Sequence, residues 1–299
     1  MRLCLALIAA LLSVGLSAGA CLGSAASALN HWHVAGTPTV ISQEIQFTNA
    51  GANLVGTVYL PSTGNQLPAV VVLHHAGAAT RYRHLREGLP ALGFAVLIYD
   101  RRGSGQSSGT LQGVDYETLA DDAVAGQHAL AKLSRINPIK IGFWGLSQGG
   151  WLAVLAAGRS RDAAFAISVS APLVTADEQM QFATSKLLAI RGYSQEDVRE
   201  MLETRNAWAG YLRGNNSRAL AIDALTKAQA KPWFDLTYMP KVSELFDDPA
   251  LRRALRRKMD DDPVASVLKA KVPLPLLYGD SDPWVPVQSM ETFFHARAS

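Results

Sequence analysis

Five short, continuously apolar runs recur along the chain, and they constrain its fold more than any other feature. They are Pro68–His74, Phe94–Tyr99, Ile139–Trp144, Ala163–Val169 and Leu274–Tyr278. A run of this kind is typical of a strand buried on both faces of a parallel sheet. Helical stretches separate the first four runs, at Arg81–Leu92, Tyr116–Leu133 and Gln148–Ala157. Strands that alternate with helices predict an α/β fold, with right-handed crossovers and helices on both faces of a mostly parallel sheet.

Two further strands precede these runs. Ile41–Thr48 and Ala52–Leu60 alternate apolar and polar residues on either side of a short turn, which predicts a hairpin of partly exposed strands. The chain has 299 residues, 48% of them apolar, so it can bury a core without covalent cross-links. Two cysteines are too few for a disulfide scaffold or a multi-cysteine zinc module. A net charge of +3 gives no reason to expect a nucleic-acid partner.

The alternation of strands and helices stops between residues 173 and 271. This stretch is rich in charged residues, and Ser194–Leu212 and Asp247–Met259 within it show helical spacing. We therefore interpret residues 38–172 as the first part of the α/β core and residues 173–271 as a helical cap insertion. Residues 272–299 are the second, incomplete part of the core in this interpretation.

The beginning of the chain has the pattern of a secretory signal peptide, which we assign to residues 1–28. Arg2 precedes an apolar run of 14 residues, Leu3–Leu16, which is too short to span a bilayer as a helix. We expect an exported protein, periplasmic or secreted, with no membrane span. The segment is also weakly similar to a lipoprotein signal that would place a lipid anchor on Cys21. We favour simple export, because Ala18 stands where such signals usually carry leucine.

A glycine-flanked serine lies between a predicted strand and a predicted helix. Gly145, Ser147 and Gly149 form the pattern G-x-S-x-G directly after the apolar run that ends at Trp144. In this context the pattern predicts a nucleophile elbow, a sharp turn that exposes the serine hydroxyl above the sheet. The first N–H groups of the following helix point at the same place, which suits a developing oxyanion.

At this point the chain resembles the α/β-hydrolase superfamily, and within it the bacterial exported serine esterases and peptidase-like hydrolases. Four motifs between residues 41 and 287 carry the resemblance. Residues 73–77 (LHHAG) stand where the family has its oxyanion loop, and 100–107 (DRRGSGQS) resemble a family turn. Residues 145–150 (GLSQGG) are the elbow, and 278–286 (YGDSDPWVP) resemble the segment that carries the family's acid. The resemblance implies an α/β-hydrolase fold with a helical cap.

The resemblance also implies a role for individual residues. Ser147 would be the nucleophile, and Asp282 fits the position of the acid better than Asp280. One oxyanion donor would be the backbone N–H of Gln148. The other would be the N–H of Gly77, with that of Ala76 as the next choice.

Two adjacent histidines in the predicted oxyanion loop invite a catalytic interpretation. His74 and His75 follow a buried strand, so either ring could reach the carboxyl edge of the sheet. The resemblance implies instead that both are structural residues of the loop. We therefore do not assign either as the base.

The catalytic histidine has no clear counterpart in this sequence. In this fold the triad runs in the order serine, acid, histidine, with one helix and one strand between the acid and the histidine. His295 follows Asp282 by 13 residues, and the spacing of Val285–Ala298 places it inside a predicted helix. We therefore expect that the last strand and the histidine are absent. Our preferred explanation is a truncation of about two to three dozen residues, with a degenerate copy or His295 itself as the alternatives.

These residues predict a serine hydrolase that cleaves carboxylic esters through an acyl-enzyme on Ser147. Thioesters and peptide or amide bonds remain open as substrates on the same machinery. The alternative is a non-catalytic hydrolase-fold protein that binds a ligand in the same cleft. We expect a small-molecule ester or acyl substrate, no cofactor and no metal, since the seven histidines form no metal-binding pattern.

Overall fold

A twisted seven-stranded sheet organises the computed structural model, which describes residues 39–77, 81, 85–245 and 248–288. The strands are β1 (Val40–Asn49), β2 (Ala52–Pro61), β3 (Leu67–Leu73), β4 (Ala95–Tyr99), β5 (Ile136–Leu146), β6 (Ala166–Val169) and β7 (Leu276–Leu277). Their order across the sheet is β1-β2-β4-β3-β5-β6-β7. The five strands β3 to β7 are parallel to one another, whereas β1 is antiparallel to β2 and β2 is antiparallel to β4. The predicted mostly parallel sheet and its leading hairpin are confirmed.

The central strands are apolar throughout because both of their faces are covered. Val71 and Leu97 pack into one core, under the helices that follow β4 and β5. Val70, Val96 and Ile98 point the other way, into a second core on the opposite face. Successive residues of a strand face opposite sides of the sheet. Every position of a strand between two layers is therefore buried and favours an apolar residue.

In the described part of the chain, three helices cover the two faces of the sheet. They are α1 (Leu85–Ala91), α2 (Tyr116–Ala131) and α3 (Gln148–Arg159). Helix α2 begins where the side chain of Asp115 accepts a hydrogen bond from the backbone N–H of Thr118. Ser147 is the N-cap residue of α3, and its side chain makes no capping hydrogen bond.

Two of the sequence-based boundaries were wrong. Arg81, predicted to begin a helix, lies outside α1 and binds Asp100 through its backbone N–H and its guanidinium, at 3.1 and 3.2 Å. The bond to a buried carboxylate outweighs the helical spacing, which is a weak local preference. The run Leu274–Tyr278 forms a strand only at Leu276 and Leu277. Pro273 and Pro275 accept hydrogen bonds from the N–H groups of Ala166 and Ser168 but have no N–H to donate in return, so the ladder stays short.

Helices α4 (Ala176–Ile190), α5 (Gln195–Arg213), α6 (Arg218–Gln229), α7 (Pro249–Asp260) and α8 (Pro263–Lys269) lie between β6 and β7. Capping boxes at Thr175 and Ser194 begin the first two of these helices. A separate apolar cluster around Leu188, Met201 and Trp233 holds α4, α5 and α6 together. Helix α8 differs from the others, because Val267 packs on Val154 of α3. Among the described residues no helix is long and apolar enough to cross a bilayer.

A buried ion pair ties the turn after β4 to helix α2. The guanidinium of Arg102 donates to both carboxylate oxygens of Asp122, at 2.7 and 2.5 Å. The two side chains are only 5% and 1% exposed. A buried charge is tolerated when a matched partner satisfies it, and it becomes costly when that partner is removed.

We expect that Asp122→Asn lowers the free energy of unfolding by about 3–5 kcal/mol, because it leaves the Arg102 charge buried without a counter-charge. Urea unfolding followed by circular dichroism measures the change. The matched control is Lys227→Gln, which removes an exposed ion pair with Asp223 four residues away and should cost about 0.5 kcal/mol or less. Equal effects of the two substitutions would contradict this account of the Arg102–Asp122 pair.

Candidate active site

Ser147 lies at the sharp turn between β5 and α3, at the carboxyl edge of the sheet. Its backbone has φ of 55° and ψ of −125°, a conformation that costs energy for any residue with a side chain. The turn is held by a hydrogen bond from the Ser147 N–H to the carbonyl of Val169, at 2.8 Å. The carbonyl of Ser147 in turn accepts from the N–H groups of Gly150 and Trp151. The strained residue is therefore fixed from both sides.

The two glycines of the motif are required by close approaches of the backbone. A Cβ atom on Gly145 would lie 1.9 Å from the carbonyl oxygen of Gly149. A Cβ atom on Gly149 would lie 2.3 Å from the carbonyl oxygen of Leu73, at the end of the neighbouring strand. Any side chain at either position would push the helix away from the sheet. The G-x-S-x-G spacing is thus a packing requirement that also places Ser147 above the sheet.

The loop after β3 passes beside the serine and is braced by Arg101. The Arg101 guanidinium donates to the carbonyls of His74 and Gly77, at 3.1 and 2.8 Å. Arg101 is only 4% exposed, so its charge acts in a poorly solvated place where such bonds are strong. Gly77 has φ of 93°, which a glycine adopts without strain. These bonds fix the course of the backbone at 74–77.

His74 also fixes the loop after β3, through a contact with β4. Its Nε2 atom lies 2.5 Å from the carbonyl oxygen of Tyr99, and the ring is 2% exposed. Burial lowers the pKa of His74 to about 4, although the bond to Tyr99 opposes that change. The ring is neutral at pH 7 and donates its Nε2–H to the carbonyl. These contacts give His74 a structural role, as the sequence-based interpretation expected.

A cavity of about 480 Å³ opens above Ser147. Ser147, Gln148, Ala76 and His75 contribute to its floor and one wall. Aromatic and other uncharged side chains complete the lining: Tyr116, Trp151, Pro172, Ala176, Gln179, Met180, Tyr238 and Trp284. A largely apolar cleft of this volume with a few convergent polar groups is typical of a small-molecule site. The lining residues within the described part of the chain include neither Asp nor Glu.

Tyr116 forms the wall beside the helix that carries the serine. Its ring packs on that of Trp151, with 4.5 Å between centroids. Burial raises the pKa of Tyr116 to about 12, while a hydrogen bond with the side chain of Gln148 works against that rise. The hydroxyl therefore stays protonated at neutral pH and helps to hold Gln148, whose backbone N–H was predicted to serve the oxyanion.

The loop after β7 brings the predicted acid towards the cavity. Asp282 is half-buried, and its Oδ1 atom accepts a hydrogen bond from the backbone N–H of Trp284 at 2.8 Å. The Trp284 carbonyl accepts from the Gln179 side chain of α4 at 3.2 Å. The Trp284 ring meets that of Tyr238 edge-on, with 5.7 Å between centroids. The cap thus holds the loop after β7 (residues 278–286, the acid loop) through Trp284.

The structure brings some of the predicted site residues together. Ser147, Gln148 and Ala76 line one cavity, and Asp282 lies two residues from Trp284 in its wall, whereas Gly77 is not among the lining residues. His295 lies outside the described residues, as do Cys21 and the predicted signal peptide. No group of three His, Cys, Asp or Glu side chains within the described ranges could hold a metal ion.

Sequence reasoning missed the aromatic walls. Trp151 could have been found, since it lies one helical turn after Ser147, and Trp284 stands beside the predicted acid. Tyr238 gave no signal, because it lies in an irregular part of the cap, far along the chain from every motif.

Comparison with known proteins agrees with this fold. A family model described as serine aminopeptidase, S33, matches residues 65–299. An uncharacterized protein of Mycobacterium tuberculosis is 34% identical over 108 residues, which are 36% of this chain and 37% of that protein. The chain therefore matches little more than a third of the length of this curated relative.

Solved structures of similar fold include two enzymes. An esterase of Pyrococcus furiosus superposes with a TM-score of 0.54 at 15% identity, over 85% of this chain and 76% of that one. A proline iminopeptidase of Mycobacterium smegmatis superposes with a TM-score of 0.52 at 16% identity, over 85% of this chain and 87% of that one. At identities this low, the similarity shows the fold alone.

We expect that Gly145→Ala and Gly149→Ala each prevent the elbow from forming, because the added Cβ atoms would clash with backbone atoms. Both variants should yield little folded protein, as judged by gel filtration and thermal unfolding. The matched control is Gly88→Ala in α1, where an added Cβ meets nothing within 4 Å. The control should be neutral or more stable by about 0.5–1 kcal/mol, since alanine favours helix. Native-like Gly145→Ala protein would contradict the packing argument.

We also expect His74 to make stability depend on pH between about 4 and 6.5. The unfolded chain protonates this histidine more readily than the folded one, so the free energy of unfolding falls as the pH drops through that window. The loss should approach about 3 kcal/mol at the acid end. His74→Gln, whose amide can still donate to Tyr99, should flatten this part of the profile relative to the unsubstituted protein. Identical profiles from urea titrations at pH 4 to 7 would contradict the assignment.

Proposed function

The chain belongs to the serine aminopeptidase S33 family of hydrolases, and we propose that it cleaves carboxylic esters through an acyl-enzyme on Ser147. The observation that carries the proposal is the position of Ser147 at a strained strand-to-helix turn, at the bottom of a largely apolar cavity. An enzyme of this kind needs an exposed nucleophile, donors for an oxyanion and a base. The geometry supports the first two requirements directly.

In the proposed reaction the Ser147 hydroxyl attacks the acyl carbon of the ester. The negative charge that develops on the carbonyl oxygen is stabilised by the backbone N–H groups of Gln148 and Ala76. We choose Ala76 over Gly77 because Ala76 lines the cavity, while Gly77 is not among the lining residues. The alcohol leaves with the serine proton, and water then attacks the acyl carbon and releases the acid.

The proposed base is a histidine that follows Asp282 in the chain. His295 is the candidate in this sequence, although its place inside a predicted helix differs from the family position, which follows one more strand. Asp282 would orient its ring and stabilise the imidazolium that forms. His75 is the alternative that the structure offers, because it lines the cavity with Ser147. The two histidines make different predictions, which can be tested separately.

The composition of the cavity favours an ester over the N-terminus of a peptide. An aminopeptidase must bind the α-ammonium group of its substrate, and a buried ammonium requires a carboxylate or several acceptors. Among the described residues, those that line the Ser147 cavity include no Asp and no Glu. An uncharged ester loses little hydration on entering such a site. We therefore place ester cleavage ahead of aminopeptidase activity.

We further propose that residues 1–28 direct export, so that the enzyme acts outside the cytoplasm. The support is the short apolar run behind Arg2 and the small residues that follow it. The mass of the mature N-terminus, measured after expression in a bacterial host, should show cleavage near Ala28. Acylation of Cys21 would replace simple export with a lipid anchor.

We expect the protein to hydrolyse p-nitrophenyl butyrate, and Ser147→Ala to lower kcat by about 10³-fold or more without changing the urea midpoint. The comparison substrate is proline p-nitroanilide, which should react at least tenfold more slowly in kcat/KM. Folded protein with no Ser147-dependent turnover of either substrate would favour the non-catalytic binding protein. Preference for the anilide would contradict the argument from the cavity lining.

If His295 is the base, His295→Ala should reduce kcat about as much as Ser147→Ala, because members of a triad act as a unit. His75→Ala should retain most of the activity if the ring is only a wall of the cavity. The reverse pattern would identify His75 as the base. Measurement of kcat for both variants, with urea unfolding to confirm the fold, distinguishes the two assignments.

A further inference from the structure

A second cavity lies inside the cap. It is open to the surface, has a volume of about 540 Å³ and is lined by α5, α7 and residues 238–245. Its walls are mainly apolar, and they include Trp208, Leu212, Met239 and Leu255. This volume falls within the range of small-molecule sites and exceeds what packing imperfections leave in a protein interior.

The charged groups at this cavity are already engaged. The guanidinium of Arg252 lies over the Tyr211 ring, 5.3 Å from its centroid. The Glu244 carboxylate accepts a hydrogen bond from the backbone N–H of Lys241 at 2.9 Å. The surface left for a ligand is therefore chiefly hydrocarbon and aromatic. A cavity of this character suits an apolar group better than a charged one.

Tyr238 belongs to the lining of both this cavity and the cavity above Ser147. Tyr238 is 67% exposed, although its neighbours Thr237 and Met239 are buried. Its φ is 56°, a conformation that a residue with a bulky side chain rarely adopts. Strain of this kind persists where the surrounding structure imposes it, and it concentrates at ligand sites.

Arg205 of α5 binds the backbone directly before Tyr238. Its guanidinium donates to the carbonyl of Thr237 at 2.6 Å, and both residues are buried. The peptide unit just before Tyr238 is thereby fixed to the cap. On its other side the Tyr238 ring contacts Trp284, so the residue stands between the cap cavity and the acid loop.

We propose that the cap cavity, which we define by Trp208, Leu212, Met239 and Leu255, is a second subsite that binds an elongated apolar arm of the ester substrate. The arm would run from Ser147 past Tyr238 into the cap. The inference rests on the proposed function and specifies its substrate class: esters that carry a medium or long hydrocarbon chain. The Ser147 cavity alone accommodates the short ester.

The test compares kcat/KM across two series of esters, kept below their critical micelle concentrations. One series lengthens the acyl chain of p-nitrophenyl esters from butyrate to dodecanoate, and the other lengthens the alcohol of alkyl butyrates. In one of the series we expect kcat/KM to rise at least about tenfold, because each buried methylene adds favourable transfer free energy.

Leu255→Trp fills the cap cavity without touching the Ser147 cavity. It should lower kcat/KM for the long ester at least about tenfold and leave that for p-nitrophenyl butyrate within about twofold. The matched control is Leu220→Trp on α6, an exposed leucine that does not line the cavity. The control should leave both substrates unaffected.

Failure of the subsite and failure of the proposed function are distinguishable. The subsite is overturned if butyrate is hydrolysed but neither series shows a preference for length, or if Leu255→Trp behaves like Leu220→Trp. If no ester is hydrolysed, titration calorimetry of dodecanoate into the Ser147→Ala protein tests the subsite alone. Binding that Leu255→Trp weakens at least about tenfold would support it, and no binding would overturn it.

Discussion

The close approach of β5 and α3 at residues 145–149 is the constraint on which the rest of this structure depends. Two glycines let the helix begin against the ends of β5 and β3, where a single methyl group would clash with the backbone. That contact sets where α3 lies on the sheet, where its N–H groups point and where the side chain of Ser147 emerges. The same backbone contact therefore fixes both the packing of the core and the position of Ser147, and neither can vary without the other.

Buried guanidinium groups extend this order to the loops around the serine. Arg102 joins the turn after β4 to α2 through Asp122, and Arg101 binds the carbonyls of the neighbouring loop at 74–77. In the cap, Arg205 binds the carbonyl that precedes Tyr238. Each charge lies where water has little access, so its hydrogen bonds are strong and directional. The loops at the mouth of the cavity thus gain rigidity without belonging to the sheet.

The parts of the molecule that could be predicted from sequence are those with a local cause. Buried strands and the elbow follow from the identity of adjacent residues, so Ser147 and the parallel sheet were predictable. The partners of Arg101 depend on which carbonyls face it once β3 and β4 lie side by side, and no spacing encodes that. The rings of Trp284 and Tyr238 are in contact although more than forty residues separate them in the chain. Arg81 binds Asp100 and lies outside the helix that the spacing predicted for it. His295 and the domain boundaries stay predictions.

The central claim is that Ser147 is an activated nucleophile, and a covalent trap tests it most directly. A fluorophosphonate reacts with a serine whose hydroxyl is activated by a base and whose oxyanion donors are in place, and it spares ordinary serines. Intact-protein and peptide mass spectrometry should show one adduct on the peptide that contains Ser147, and none in Ser147→Ala. Folded protein that takes up no label, or that carries it on another residue, would contradict the account.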